Sequence, residues 1–171
     1  MLPTDLLIDA FTRIRDLVHE AVDGLTEDEL AHRVDPRANT VAWLVWHLLR
    51  VQDDHVAEVA GRDQVWIAAG WEPRFGLPFA PSAHGYGHTA ADVARVRAGA
   101  DLLTGYADAV TEQTLGYLAG VTADDLDRIV DDRWDPPVTL AVRLVSVVSD
   151  DLQHVGQAAF LRGVLLRARG A

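Results

Sequence analysis

His47, Asp150 and His154 are the residues whose types and settings could do chemistry. His47 sits in Val41-Ala42-Trp43-Leu44-Val45-Trp46-His47-Leu48-Leu49, and Asp150 and His154 close Leu144-Val145-Ser146-Val147-Val148-Ser149-Asp150-Asp151-Leu152-Gln153-His154. Both stretches otherwise read as helix core. A lone carboxylate in apolar surroundings is costly unless it is paired or bound to a cation. Residues four apart share a helix face, so Asp150 and His154 are neighbours able to chelate one ion. Asp151 is a rival ligand. Gln157, three beyond His154, lies on the same side and can orient it. Two ligands from one helix and one from another leave open coordination positions, as a catalytic metal requires. Imidazole and carboxylate donors suit zinc, nickel, iron or manganese and do not select among them; zinc is the first expectation.

Other polar residues have plainer readings beside functional ones. Asp54 is seven after His47 and so on its face, either steadying a ligand or simply solvated. Trp43 and Trp46 read as core, His55 as solvated, His19 and His32 as surface. His84 and His88, flanking Gly85-Tyr86-Gly87, can line a pocket.

Four helical segments must position these groups. In the first, Leu7, Phe11, Ile14, Val18, Ala21 and Leu25 recur at three or four residues, with Thr4 or Asp5 as the cap. The second runs from about Thr40 to Ala60, capped by Asn39 or Thr40 and stopped by Gly61. The third spans Ala90 to Leu118, and the fourth Thr139 to Arg167, with Pro136-Pro137 blocking an earlier start. No segment alternates with period two, so no sheet is expected. Thr26-Glu27-Asp28-Glu29-Leu30 and Thr122-Ala123-Asp124-Asp125-Leu126 are each a Thr cap, an acidic first turn and an apolar anchor. Val34 and Val130, then Arg37 and Arg133, follow at matching offsets, a weak internal duplication. The stretch from Gly61 to Thr89 is rich in Gly, Pro and aromatic residues. A connection of that length in a compact domain reads as functional or a lid.

Composition removes several function classes. The 171 residues fit one domain, residues 1–171, and the net charge of −11 argues against nucleic acid and anionic membrane as partners. No apolar run reaches the roughly 20 residues of a transmembrane helix. The start Met1-Leu2-Pro3-Thr4-Asp5 lacks the basic region of a signal peptide, so a cytoplasmic location is expected. The chain has no Cys, which excludes disulfides, thiolate nucleophiles and Cys-based zinc sites. It has no Lys either, its 15 basic residues all being Arg, which excludes Schiff-base chemistry.

The two motif helices bring a family into view. Asn39-Thr40-Val41-Ala42-Trp43-Leu44-Val45-Trp46-His47-Leu48 resembles the second-helix motif of the DinB/YfiT-like superfamily. Asp150-Asp151-Leu152-Gln153-His154-Val155-Gly156-Gln157 resembles its fourth-helix motif, in which His is usual where Asp150 stands. The runs Gln52-Asp53-Asp54-His55 and Trp134-Asp135-Pro136-Pro137-Val138-Thr139 look like the actinobacterial mycothiol transferase branch. A carboxylate at position 150 is similar to the mycothiol-dependent maleylpyruvate isomerases, which carry Glu; Asp is one methylene shorter.

The resemblance implies an all-α DinB-like four-helix bundle with long connections and short extra helices. It implies a divalent metal held by His47, Asp150 and His154. It also implies transfer of a low-molecular-weight thiol, mycothiol or a similar thiol, to an electrophile, with metal-bound thiolate as nucleophile. A chain without a thiol must receive its sulfur as a cofactor, and a metal lowers a bound thiol's pKa. On that reading Arg50 or Arg74 can hold a carboxylate of thiol or substrate. Tyr86 and His88 can donate or shuttle protons. Trp66 and Trp71, with Phe75, can close the pocket against water. Two alternatives stand beside it: a metal-dependent hydrolase or lyase using metal-bound water, and a non-catalytic small-molecule-binding bundle. The expected partners are the thiol and the electrophile, with a homodimer as a further option.

Overall fold

The computed structural model describes residues 2–170. Its frame is four long helices: α1 (Pro3–Val22), α2 (Val41–Ala60), α3 (Ala100–Leu118) and α4 (Leu140–Ala168). α1 packs on α3 and α4, and α2 packs on the same two. The helices therefore ring the core in the order α1, α3, α2, α4, with the most extensive contact between α2 and α4. The molecule is an all-α DinB-like bundle.

Burial explains the pairing. α1 turns Phe11, Ile14, Val18, Ala21 and Val22 inward, and α4 turns Leu144, Val147, Val155 and Ala158 inward. α2 is different, because every residue from Val41 to Arg50 is buried. A helix apolar all round needs cover on every side. The connection between α2 and α3 supplies it, packing Trp66, Trp71 and Phe75 into the same core. Thr40 Oγ1 accepts from Trp43 N–H at 3.0 Å to open α2, and Gly61 closes it in the left-handed region at φ 61°.

Four local expectations need correction. α1 starts at Pro3, and Asp5 Oδ2 accepts from Leu2 N–H at 2.7 Å, so neither Thr4 nor Asp5 is the capping position. The third segment is not continuous. A short helix, Ala90–Val93, ends at once and α3 begins only at Ala100. Thr89 and Asp92 cap that single turn reciprocally. The residues that follow, a turn and then irregular chain, bury Val96 and Ala98, and the apolar spacing mimics a helical stripe. A two-stranded antiparallel ladder also exists, β1 (Ile129–Asp131) with β2 (Val138–Thr139), pairing Ile129 with Thr139 and Asp131 with Val138. Strands of three and two residues are too short for an alternating pattern to register. Lastly, His55 is half-buried rather than solvated and bonds to Arg143.

The internal duplication has a physical counterpart. Thr26 Oγ1 accepts from Glu29 N–H while Glu29 accepts from Thr26 N–H, at 3.3 and 2.8 Å. Thr122 and Asp125 repeat this at 3.3 and 2.8 Å. Nine residues after each Thr, an Asp accepts a backbone N–H two residues on: Asp35 from Arg37, Asp131 from Arg133. No helix among the described residues is long and apolar enough to cross a membrane.

Candidate metal centre

The most extensive helix contact brings the ligand candidates together. One donor atom each from His47 of α2 and Asp150 and His154 of α4 lie within 4.8 Å of one another. Asp151 does not join them. It sits on the core-facing stripe of α4, wholly buried, with neither carboxylate oxygen hydrogen-bonded. Burial holds its pKa well above the usual carboxylate range.

Each imidazole is oriented by a different device. His47 Nδ1 donates to the His84 carbonyl of the connection. Its ring stacks on Trp43, with centroids 4.7 Å apart and planes at 13°. His154 Nδ1 lies 3.4 Å from Gln157 Oε1. With both Nδ1 atoms engaged, both Nε2 atoms are left for a cation. His154 Nε2 sits 3.6 Å from Asp150 Oδ1, and Asp150 Oδ2 is buried without a partner. Burial lowers the His47 pKa, against the pull of its bond to His84. The bond to Asp150 raises that of His154. Burial acts to raise Asp150, but its His154 bond and the nearby imidazole charges outweigh this and leave it below the ordinary value. An orphaned carboxylate oxygen beside two preset imidazoles is a donor set that could hold a divalent cation.

The fit depends on a glycine. Gly85 has φ 96°, and a Cβ there would lie 2.8 Å from His47 Nδ1 and 3.1 Å from Trp43 Cζ2. The connection crosses directly over the imidazole it orients.

Arg50 fixes that crossing and is not available to a substrate. It is fully buried. Its Nε donates to the Ala83 carbonyl, Nη1 reaches Asp53 and Tyr106, and Nη2 reaches Gln64 and the Pro81 carbonyl. Five donors are consumed inside the protein. Asp54 does not touch the triad; Gln64 Nε2 donates to its Oδ1 at 2.6 Å. Trp66 packs between Trp46, Phe75 and Tyr106. Trp71 closes on Tyr106 and on Gly105, where an added Cβ would lie 2.8 Å from its ring. Arg74 lies over Trp71 at 4.2 Å. These residues build the wall behind the site rather than a mouth. Tyr86 is 88% exposed and holds no hydrogen bond among the described residues. His88 is nearer: its Nδ1 accepts from Trp43 Nε1 at 3.2 Å, so it meets the triad through Trp43.

The family described as Mycothiol-S-transferase matches residues 6–166. The chain belongs to this mycothiol S-transferase family. A crystal structure of a conserved protein from Enterococcus faecalis has the same fold, with a TM-score of 0.88 and 31% identity, over 95% of this chain and 96% of that one. No functionally curated protein matches.

Three parts of this mycothiol S-transferase relative's centre escape a reading by residue type. The His84 acceptor is main chain, Gly85 acts through the side chain it lacks, and Asp53 acts from inside the core. Asp53 accepts from Val65 N–H, Trp66 N–H and the Tyr106 hydroxyl at 2.9, 2.8 and 2.8 Å, so it anchors the connection. The Gly85-Tyr86-Gly87 run was the available signal for a special backbone path.

Proposed function

We propose that this protein transfers a low-molecular-weight thiol, mycothiol or a close analogue, to a small electrophile, using a divalent cation held by His47, Asp150 and His154. The observation that carries the reading is the unpartnered buried Asp150 Oδ2 beside two imidazoles whose Nδ1 atoms are already committed. When bound, the cation acts as a Lewis acid that lowers the pKa of a coordinated thiol and so supplies thiolate at neutral pH.

The chain's own residues supply position and dryness. The His84 carbonyl and Gln157 fix the imidazole planes. Trp43 and Trp46 shut the bundle side against water. Hollows flank the triad along α4. One is lined by Asn39, Gln153, Gln157 and the exposed ring of Phe160. Neutral amides and an aromatic face suit a neutral, hydroxyl-rich thiol. The other hollow opens at Asp150. His88, with its pKa lowered by burial, is kept as a neutral imidazole; its Nδ1 accepts from Trp43, so its proton lies on Nε2 as a donor near the site.

Elemental analysis of the wild type beside His47→Ala and His154→Ala tests this. We expect about one transition metal per wild-type chain, with metal and thiol consumption lost in both folded variants. Normal metal content in the variants would overturn the triad. Turnover of substrate in a thiol-free assay would favour hydrolysis by metal-bound water instead.

A further inference from the structure

We propose that the cavity between α2, α4 and the β1–β2 hairpin seats the electrophile, and that it selects a monoanionic carboxylate carried on an apolar or aromatic body. This deepens the thiol-transfer reading and rests on it for the word electrophile. The cavity has a volume of about 420 Å³ and Asp150 forms one end, so a molecule seated there abuts the candidate metal centre. That volume fits a small organic ligand.

Its walls have two characters. Val51, Val142 and Val147 provide an apolar floor. Trp134 stands at the rim with 66% of its surface exposed. An exposed indole beside an apolar floor offers a face for a flat or aliphatic body. The polar side is built around Asp131. Arg133 binds it in a fork, Nε to Oδ1 and Nη2 to Oδ2, both at 2.9 Å. Arg143 Nη2 reaches the same Oδ2 at 3.2 Å. Arg143 Nη1 donates to His55 Nδ1 at 2.7 Å, which leaves the His55 proton on Nε2 as a donor.

Charge selects the ligand class. Arg133 and Arg143 carry two positive charges against Asp131 and Asp150 in the lining; with a cation held by Asp150 its charge is spent there, and the two guanidiniums exceed Asp131 by one. Burial and the adjacent Arg143 lower the His55 pKa and keep that ring neutral. Glu58 approaches Arg143 at 3.4 Å, but it is more than half exposed and does not line the cavity. Arg133 Nη1 and Arg143 Nε make no hydrogen bond among the described residues. Two arginines lining one cavity stand out in a chain of net charge −11. One surplus positive charge, unused guanidinium donors and a His N–H match a carboxylate. A phosphate dianion would bring one more negative charge than that surplus offsets.

Paired probes test the assignment. The first pair is trans-cinnamate and neutral trans-cinnamamide, titrated calorimetrically into the whole chain, with inorganic phosphate as a third probe. The second is 4-(chloromethyl)benzoate and its amide, assayed with mycothiol. In that reaction the thiol sulfur bonds to the benzylic carbon, the carbon–chlorine bond breaks, chloride leaves and the thiol proton passes to buffer. We expect cinnamate to bind about tenfold more tightly than the amide or phosphate, and Arg133→Gln to erase the difference. Arg133 is largely exposed and Arg143 still pairs with Asp131 in its absence, so we expect this variant to fold, with its melting temperature as the check. Trp134→Ala should weaken both members of the first pair. In transfer, KM for the chlorobenzoate should rise about tenfold in Arg133→Gln while KM for the thiol stays fixed. Equal binding of acid and amide, or binding insensitive to Arg133, overturns the proposal. A rise in KM for the thiol alone assigns Arg133 to the thiol and overturns it too. Arg133-dependent cinnamate binding without any thiol transfer keeps the anion subsite and defeats the thiol-transfer reading.

Discussion

The narrowest tolerance in this protein lies at Gly85. Its positive φ costs a non-glycine residue roughly 1–2 kcal/mol, and a Cβ there meets His47 Nδ1 at 2.8 Å. Gly85→Ala should lower the melting temperature and push the His47 ring off its plane. Metal content should then fall by more than the stability loss alone predicts, which calorimetry and elemental analysis on one sample would show. Full occupancy in Gly85→Ala would mean the crossing is slack. The candidate ligand residues on α4 were legible because helix spacing is rigid: positions 150, 154 and 157 must lie side by side. The bond between His47 and the His84 carbonyl was not, since a carbonyl belongs to every residue and spacing along a loop fixes no direction. Arg50 misled for a related reason. A guanidinium has the same donors whether it meets a ligand or, as here, the carbonyls of Pro81 and Ala83.

At the level of elements, α4 holds a defect in its stripe. Asp151 lies wholly buried among Leu144, Val147 and Val155 with no hydrogen bond. An unsatisfied buried polar group costs about 1–3 kcal/mol. Asp151→Val should therefore stabilise the bundle, by roughly 2–4 °C in melting temperature per kcal/mol for a chain of this size. Thermal melts at pH 7 would check the sign. A lower melting temperature would show that the carboxyl has a partner, such as a bound water. The four long helices were readable because each repeats its apolar residues over several turns. The break at Ala94–Gly99 was not, because Val93, Val96 and Ala100 keep helical spacing while the chain between them leaves the helix through a turn into irregular backbone. The β1–β2 ladder was hidden by brevity.

Across the whole molecule, the end of α4 is tied to the turn that follows α1. Arg169, beyond α4, bonds Glu29 at 2.7 and 2.6 Å and the Gly24 carbonyl at 2.7 Å. The Arg169 bond, with help from Thr26, pulls the Glu29 pKa from 4.5 to about 2. A depressed carboxylate pKa stabilises the fold above the unfolded value, and that contribution is lost as pH falls through the folded one. The melting-temperature gap between wild type and Glu29→Gln should be constant above about pH 5 and should close between pH 4.5 and pH 2. A gap that persists at pH 2 would place the effect in the cap geometry rather than the charge. The acceptor that orients His47 has a different vulnerability. It is a peptide oxygen, so no codon change can delete it, and replacing His84 by another residue alters the ornament but not the bond. What heredity must keep in that stretch is a path, fixed by Gly85 and the Arg50 anchor. The solvent-facing side chains along it, Tyr86 above all, are free to drift, and a residue suited to a new substrate could be placed there without disturbing the candidate metal centre.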